Sequence, residues 1–219
     1  MTDKETRLTQ SRYDRQASLF DLMEAPNELL VFGRVRRRLW REVKAGRLLE
    51  IGVGTGKNMQ HHPEGARVVG MDISPRMLRK AAARAQRLGR NMDFVLADAQ
   101  RLPFRDGVFD GAAATFVFCS VPDPVTGLQE VKRVVRPKGR VDLLEHVRSR
   151  FGVAGWVMDR LNPLVVRMMG ANINRDTVGN VGRAGIDIGE VESRGFGIIK
   201  LIRGRRAAGR EQGVPPNVA

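Results

Sequence analysis

Cysteine is almost missing from these 219 residues. Cys119 stands alone, so no disulfide can form within the chain, and a reducing compartment is expected. Aromatic residues make up 5%, with a single tyrosine. That is too few for the stacking surfaces that grip single-stranded nucleic acid. No run reaches the roughly 18 uncharged apolar residues of a spanning helix. The opening MTDKETRLTQ has no apolar core of the signal-peptide kind. Acids are the minority charge, 24 against 38 basic residues, and the formal net charge is +14. That excess favours contact with an anionic surface, either nucleic acid or acidic lipid headgroups. A cytoplasmic protein is expected, with peripheral contact at the inner face of the membrane as its alternative. No spacing suggests a metal site, and none is expected.

What is present is ordinary for a globular protein: 42% apolar and 28% charged residues. The length suits one domain. The positive charge is clustered. Arg34, Arg36, Arg37, Arg38, Arg41 and Lys44 form one group. A second runs from Arg76 to Arg90, and a third from Arg194 to Arg210. These are either surfaces for an anionic partner or solvated helix faces.

Residues 1–10 read as disordered, and 11–45 as a helical lid segment in two pieces divided at Pro26. Phe32, Val35, Leu39 and Val43 recur at helical spacing in the second piece, and Gly46 ends it. Strand and helix then alternate. Strands are expected over 47–51, 66–72, 91–98, within 107–118, and over 139–147. Helices are expected over 75–88, behind Ser74 and Pro75, and over 124–136, before Pro137 and Gly139. Residues 153–170 are apolar and helical in parts, broken at Pro163. A short helix over 175–184 precedes two antiparallel strands, 186–194 and 196–203. The expected divisions are a lid at 1–45, a main domain at 46–204 and a disordered basic tail at 205–219. The alternation implies an α/β fold: a doubly wound, mostly parallel sheet covered on both faces. Ligands of such sheets bind beyond the carboxyl ends of the strands.

The sharpest signal lies at the first of those ends. Glu50-Ile51-Gly52-Val53-Gly54-Thr55-Gly56 follows a strand and precedes an expected helix. Glycines let the backbone turn tightly and approach a ligand without Cβ interference. A dinucleotide site wants G-x-G-x-x-G. Here the third glycine comes one residue early, and a carboxylate sits two before the first. An acid there suits a cationic ligand such as S-adenosylmethionine, which carries a sulfonium and an ammonium group. Asp72 ends the second strand, where a carboxylate can accept from both ribose hydroxyls. Asp98 with Ala99 ends the third, where it can accept from an adenine amino group. Each alone is equally a cap or loop aspartate. The combination with the glycine loop is what points to one nucleoside site.

The series LLEIGVGTG, VVGMDIS, ADAQRLPF, FDGAAATFVFCSVPDP and EVKRVVRPKGRVDLLEHV resembles the class I S-adenosylmethionine-dependent methyltransferases over about residues 47–147. The resemblance implies a seven-stranded, Rossmann-like sheet with a reversed last strand. It implies that Glu50, Gly52, Gly54 and Gly56 contact the methionine portion. Asp72 and Ile73 would meet the ribose, Asp98 and Ala99 the adenine, and Phe116 and Val117 would line the same site. S-adenosylhomocysteine would be the product. YDRQASLFD (13–21) with GVGTGKNMQHHP (52–63) is similar to bacterial phospholipid N-methyltransferases and to ubiquinone/menaquinone C-methyltransferases. LLEHVRS with MMGANINRDTVGNVGRAGI is similar to a membrane-associated, thiol-methylating branch. The partner implied is a small-molecule or lipid acceptor, most of these acceptors being lipophilic. A phospholipid amine or a quinone precursor leads. The alternatives are a nucleic-acid or thiol methyltransferase, or a non-catalytic protein that only binds the donor. Nucleic acid is disfavoured by the missing asparagine-proline-proline-aromatic motif and by the absence of an RNA-binding module. The sequence does not give the oligomeric state.

Methyl transfer is chiefly alignment and exclusion of water, and a base is needed only if the acceptor must lose a proton. His146, at the end of the fifth strand, is the first catalytic candidate, against a structural histidine bonded to a loop. His61 and His62 read as surface residues, and Cys119 as a small buried apolar one. The resemblance implies that Tyr13 closes over the donor. Asn172, Asn174 and Arg175 either bind an acceptor headgroup, the arginine taking a phosphate, or surround a cap at Asn174 or Asp176.

Overall fold

The structure is a computed structural model, which describes residues 2–149, 151–195 and 197–208. It opens with α1 (Thr2–Gln16) and α2 (Phe20–Asn27), then a π-helical turn (Glu28–Phe32) and α3 (Gly33–Arg41). The expected disorder over 1–10 is therefore corrected for residues 2–10. The cause of the miss is physical. α1 has no apolar stripe, and polar side chains tie it to the body instead. Thr6 Oγ1 donates to Asp98, Ser74 Oγ donates to Asp14, and Tyr13 Oη pairs with Ser120 Oγ. Pro26 lies inside α2, so the break falls at residues 17–19, and the chain widens into the π turn just after the proline.

The sheet has seven strands: β1 (Arg47–Ile51), β2 (Arg67–Asp72), β3 (Asp93–Leu96), β4 (Phe109–Thr115), β5 (Val135–His146), β6 (Ile186–Arg194) and β7 (Ile199–Arg206). Their order is β3-β2-β1-β4-β5-β7-β6. β7 runs antiparallel to both β5 and β6, and the other pairings are parallel. β5 begins four residues before its expected start. Its register against β4 jumps between Val135 and Arg140, and Lys138 takes a φ of 63°, so Pro137 and Gly139 lie in a bulge. Arg205 and Arg206 belong to β7, which corrects the expected tail at those two residues; residues 209–219 lie outside the described residues.

Ser74 caps α4 (Pro75–Arg87) by accepting from Met77 N–H, and Asp123 caps α5 (Pro124–Val134) by accepting from Val125 and Thr126 N–H. The first is the cap expected ahead of Pro75, and Asp123 plays the same part ahead of Pro124. The segment expected to break at Pro163 is one helix, α6 (Gly152–Met169), closed by Gly170 at a φ of 78°. α7 (Thr177–Arg183) follows. The helix expected after the glycine loop is only a 3-10 turn, Met59–His61.

Strand alternation sorts the buried side chains onto two faces. Leu49 and Ile51 join the core under α5, with Phe109, Leu128 and Leu143. Leu48, Ala113, Leu144 and Leu201 join Leu39 and Trp40 of α3 on the other. The crevice where strand order reverses, between β1 and β4, opens at the carboxyl edge under α1 and α2.

Candidate functional site

A cavity of about 170 Å³ lies at that crevice. β1 ends in the glycine loop, where Gly52 and Gly54 take φ values of 63° and 56°. A Cβ on Gly52 would stand 2.4 Å from Val117 Cγ2, so the loop and the turn after β4 pack together only because the side chain is absent. Gly54 N–H donates 2.9 Å to Asp72 Oδ2, and Ser74 N–H donates 2.9 Å to Asp72 Oδ1. Burial pushes the Asp72 carboxyl up to about 6, although these backbone donors pull the other way. Asp98, Ala99, Ile73, Phe116 and Val117 line the cavity with Asp72.

Phe116 is held at a φ of 58°, which is costly for a residue with a bulky side chain. Glu145 is what pins the turn. Its buried carboxylate accepts from the N–H groups of Val117 and Phe118 at 2.9 Å and of Cys119 at 3.3 Å. Burial raises the Glu145 carboxyl to about 7. The Phe116 ring then stacks on His146, with centroids 4.5 Å apart, and Phe32 meets the same imidazole edge-on at 5.6 Å. Burial, with a smaller contribution from the Arg36 charge, lowers His146 to about 4. The imidazole is therefore neutral at physiological pH and faces the cavity.

α1 and α2 form the roof through Thr9, Tyr13, Gln16 and Phe20. Tyr13 Oη lies 2.6 Å from Ser120 Oγ. Asp21 accepts from Thr55 Oγ1 at 2.6 Å and from Arg84 at 2.8 Å, with Lys57 Nζ 3.7 Å away.

The structure brings Tyr13, Gly52, Gly54, Asp72, Ile73, Asp98, Ala99, Phe116, Val117 and His146 to this one cavity. Five other expected site residues lie elsewhere. Glu50 shares the α3 face with Leu48, because strand side chains alternate. It is fully buried, taking Asn58 Nδ2 at 2.7 Å and His62 Nε2 at 2.9 Å. Asn58 also takes Arg36, which donates to Thr115 Oγ1 at 2.6 Å. Glu50 thus braces the loop from behind instead of facing the cavity. His62 is buried in this network, against its expected place at the surface. Gly56 leaves room for Met59, whose Cε would lie 2.5 Å from a Cβ there. Asn172 donates to Cys119 O at 3.2 Å, and Asn174 donates to Asp159 of α6 at 3.1 Å. Arg175 accepts a backbone bond from Arg148, and Asp176 is the cap of α7. None of these three expected acceptor residues lines the cavity, whereas Ala171 does.

Sequence reasoning missed Arg36, Lys57, Ser120 and Glu145. Glu145 had a signal: a carboxylate inside an apolar strand must be paired. Arg36 had none, since it sits among exposed arginines and only tertiary packing buries it.

Residues 49–142 match the model of a methyltransferase domain family. A ubiquinone/menaquinone biosynthesis C-methyltransferase from Hahella chejuensis is 32% identical across 81% of this chain and 74% of its own length. The chain belongs to the S-adenosylmethionine-dependent methyltransferases. A demethylmenaquinone methyltransferase from Thermus thermophilus is 38% identical over 64% of this methyltransferase and 67% of its own length. A phosphatidylethanolamine N-methyltransferase from Cereibacter sphaeroides is 36% identical over 52% and 61%. Several other relatives extend well beyond their matches, of which this methyltransferase spans 44–62%. Among solved structures, a methyltransferase from Thermotoga maritima superimposes with a TM-score of 0.72 at 20% identity, covering 90% of this chain and 99% of that one; at that identity the likeness is one of fold. S-adenosylmethionine is the cofactor of this family. The cavity fits it: its lining combines the carboxylates of Asp72 and Asp98 with apolar side chains, and the loop at Gly54 is open to close approach. Among the described residues no helix is long and apolar enough to cross a membrane, and no group of three or more side chains is arranged to hold a metal ion.

Proposed function

We propose that this methyltransferase moves a methyl group to a lipophilic small-molecule acceptor, a quinone precursor or a phospholipid amine, met at an anionic membrane surface. The observation that carries the reading is a neutral imidazole, His146, set against Phe116 and Phe32 in a largely apolar cavity that also holds the Asp72 carboxylate. Bound S-adenosylmethionine supplies a methyl group already activated by its positively charged sulfur. Asp72 accepts from the ribose hydroxyls, Asp98 and Ala99 take the adenine, and Gly52 and Gly54 allow the loop to approach the methionine portion. The stacked wall of Phe116 and His146 orients a flat or acyl-bearing acceptor and excludes water. Where the acceptor nucleophile carries a proton, the unprotonated nitrogen of His146 accepts it. The helical segment over residues 1–45 acts as a lid, with Tyr13 closing on Ser120 above the cavity.

The names of the relatives support a quinone or phospholipid acceptor over a nucleic acid. Incubation with isotope-labelled donor and three pools, quinone precursors, phospholipids and small thiols, followed by mass spectrometry, tests this. Label is expected in one of the first two. Label only in the thiol pool, or in none of the three, overturns the lipophilic-acceptor reading.

A further inference from the structure

α6 presents its apolar face to solvent, the reverse of the usual arrangement for a surface helix. Val153 is 80% exposed, Trp156 60%, Leu161 48% and Leu164 56%. With Val157, Arg160 and Arg167 they recur every three or four residues and cover about 140° of the helix at 100° per residue. The opposite face carries Gly155 and Met158, both buried, and half-buried Asn162, which is bonded to Asn172 and to Ile173 N–H. The helix is thus held to the body on this face by Gly155, Met158 and the Asn162 bonds, while Val153, Trp156, Leu161 and Leu164 stay in water. Contiguous exposed apolar surface of this kind marks an interaction site.

Charge selects the occupant. The outward face carries Arg160 and Arg167 and no acid. The single carboxylate of α6, Asp159, is paired on the flank with Arg148 at 2.8 Å and accepts a hydrogen bond from Asn174. The Arg160 guanidinium lies 5.7 Å from the Trp156 ring centroid. A tryptophan and an arginine beside aliphatic side chains match the boundary between headgroups and acyl chains. α6 does not qualify as a spanning helix, so it would lie in the interface plane. Its closing residue, Gly170, leads directly into Ala171 of the cavity wall.

We propose that the outward face of α6 is the membrane-contact surface, inserting Trp156 and Leu164 into an anionic leaflet and setting the cavity mouth against the lipid. This rests on the lipophilic-acceptor reading above. A protein–protein interface is the competing occupant, and the test separates the two.

The chain has two tryptophans, and Trp40 is buried, so Trp156 is a built-in reporter. The full chain is mixed with vesicles of phosphatidylcholine, with or without phosphatidylglycerol. Expected results are sedimentation with the anionic vesicles, a blue shift of tryptophan emission, and loss of that shift in Trp156→Phe. Trp156→Glu/Leu164→Glu is expected to weaken vesicle binding by at least about tenfold, while S-adenosylhomocysteine binding by calorimetry is unchanged. Equal binding to both vesicle types, undiminished binding of the double variant, or no vesicle binding overturns the proposal. Concentration-dependent dimerisation that the double variant abolishes does so as well, since a second copy then covers the face. Transfer to a detergent-dispersed acceptor that persists without vesicle binding would leave the acceptor reading standing and remove only this surface.

Discussion

Replacing Gly52 by alanine places a methyl group 2.4 Å from Val117 Cγ2, in a backbone at a φ of 63°. An L-residue in that conformation costs about 1–2 kcal/mol, and forcing a methyl into a packed contact costs about 1–3 kcal/mol more. The total, about 2–5 kcal/mol, can be relieved only by moving the loop or the turn that carries Phe116 and Val117. Both movements disturb the cradle. If about 2 kcal/mol must be returned to rebuild the cradle on binding, affinity for S-adenosylhomocysteine falls about 30-fold. At about 2–4 °C per kcal/mol for a chain of this size, Tm falls by about 4–20 °C. Gly52→Ala/Val117→Ala removes the clash and keeps the strain, so binding should recover to within about tenfold of the parent. Calorimetry and thermal unfolding of the three proteins read both quantities. Parental affinity and Tm in Gly52→Ala, or a double variant no better than the single one, would refute the packing argument.

Three further outcomes follow from the same geometry. Because Asp72 titrates near 6, above the ordinary carboxylate value, S-adenosylhomocysteine should bind more weakly as pH falls through 6, by about tenfold per pH unit below it. In Asp72→Asn the affinity should be low and flat with pH. The same raised value means the group favours the fold at low pH and loses that contribution as pH rises through 6, so the parent should gain more Tm on acidification from pH 8 to pH 5 than Asp72→Asn does. His146→Ala should lower kcat by about a hundredfold or more with little change in donor affinity, and the parent's kcat at saturating donor should show no imidazole step near 6.5, because burial holds the imidazole near 4; a loss under threefold would make the residue a wall only. Asp21→Asn removes the charge that draws α2 to Arg84 and Lys57 and leaves an amide oxygen able to accept from Thr55. The carboxylate is partly exposed, so its ion pairs contribute under about 1 kcal/mol. Product release measured by stopped flow should quicken about two- to fivefold and lose part of its salt dependence.

Much of this was legible before any coordinates. Ser74-Pro75 marked a helix start because an accepting side chain followed by a fixed φ has little other use, whereas the matching Asp123-Pro124 pair was passed over. The glycine loop, Asp72 and Asp98 fell at strand ends, where doubly wound sheets bind ligands. What was hidden lay in the third dimension. Strand alternation turned Glu50 away from the cavity, and only the partner strands and α3 reveal what meets it there. The first ten residues looked disordered because what ties them down is polar and remote, Thr6 bonding Asp98 and Gln100 more than 90 positions away, and no local pattern records it. β5 began early because a bulge absorbs Pro137 and Gly139, which otherwise punctuate the sequence. The apolar residues of α6 were visible in the sequence, but which way they faced was not.

The most direct measurement is a crystal structure of the chain with S-adenosylhomocysteine. The ribose hydroxyls should lie within hydrogen-bond distance of the Asp72 carboxylate, the adenine beside Asp98 and Ala99, and the homocysteine sulfur on the side of Phe116 and His146, with Glu50 still held by Asn58 and His62. A nucleoside bound elsewhere, or one seated in the cavity without touching Asp72, would contradict the account.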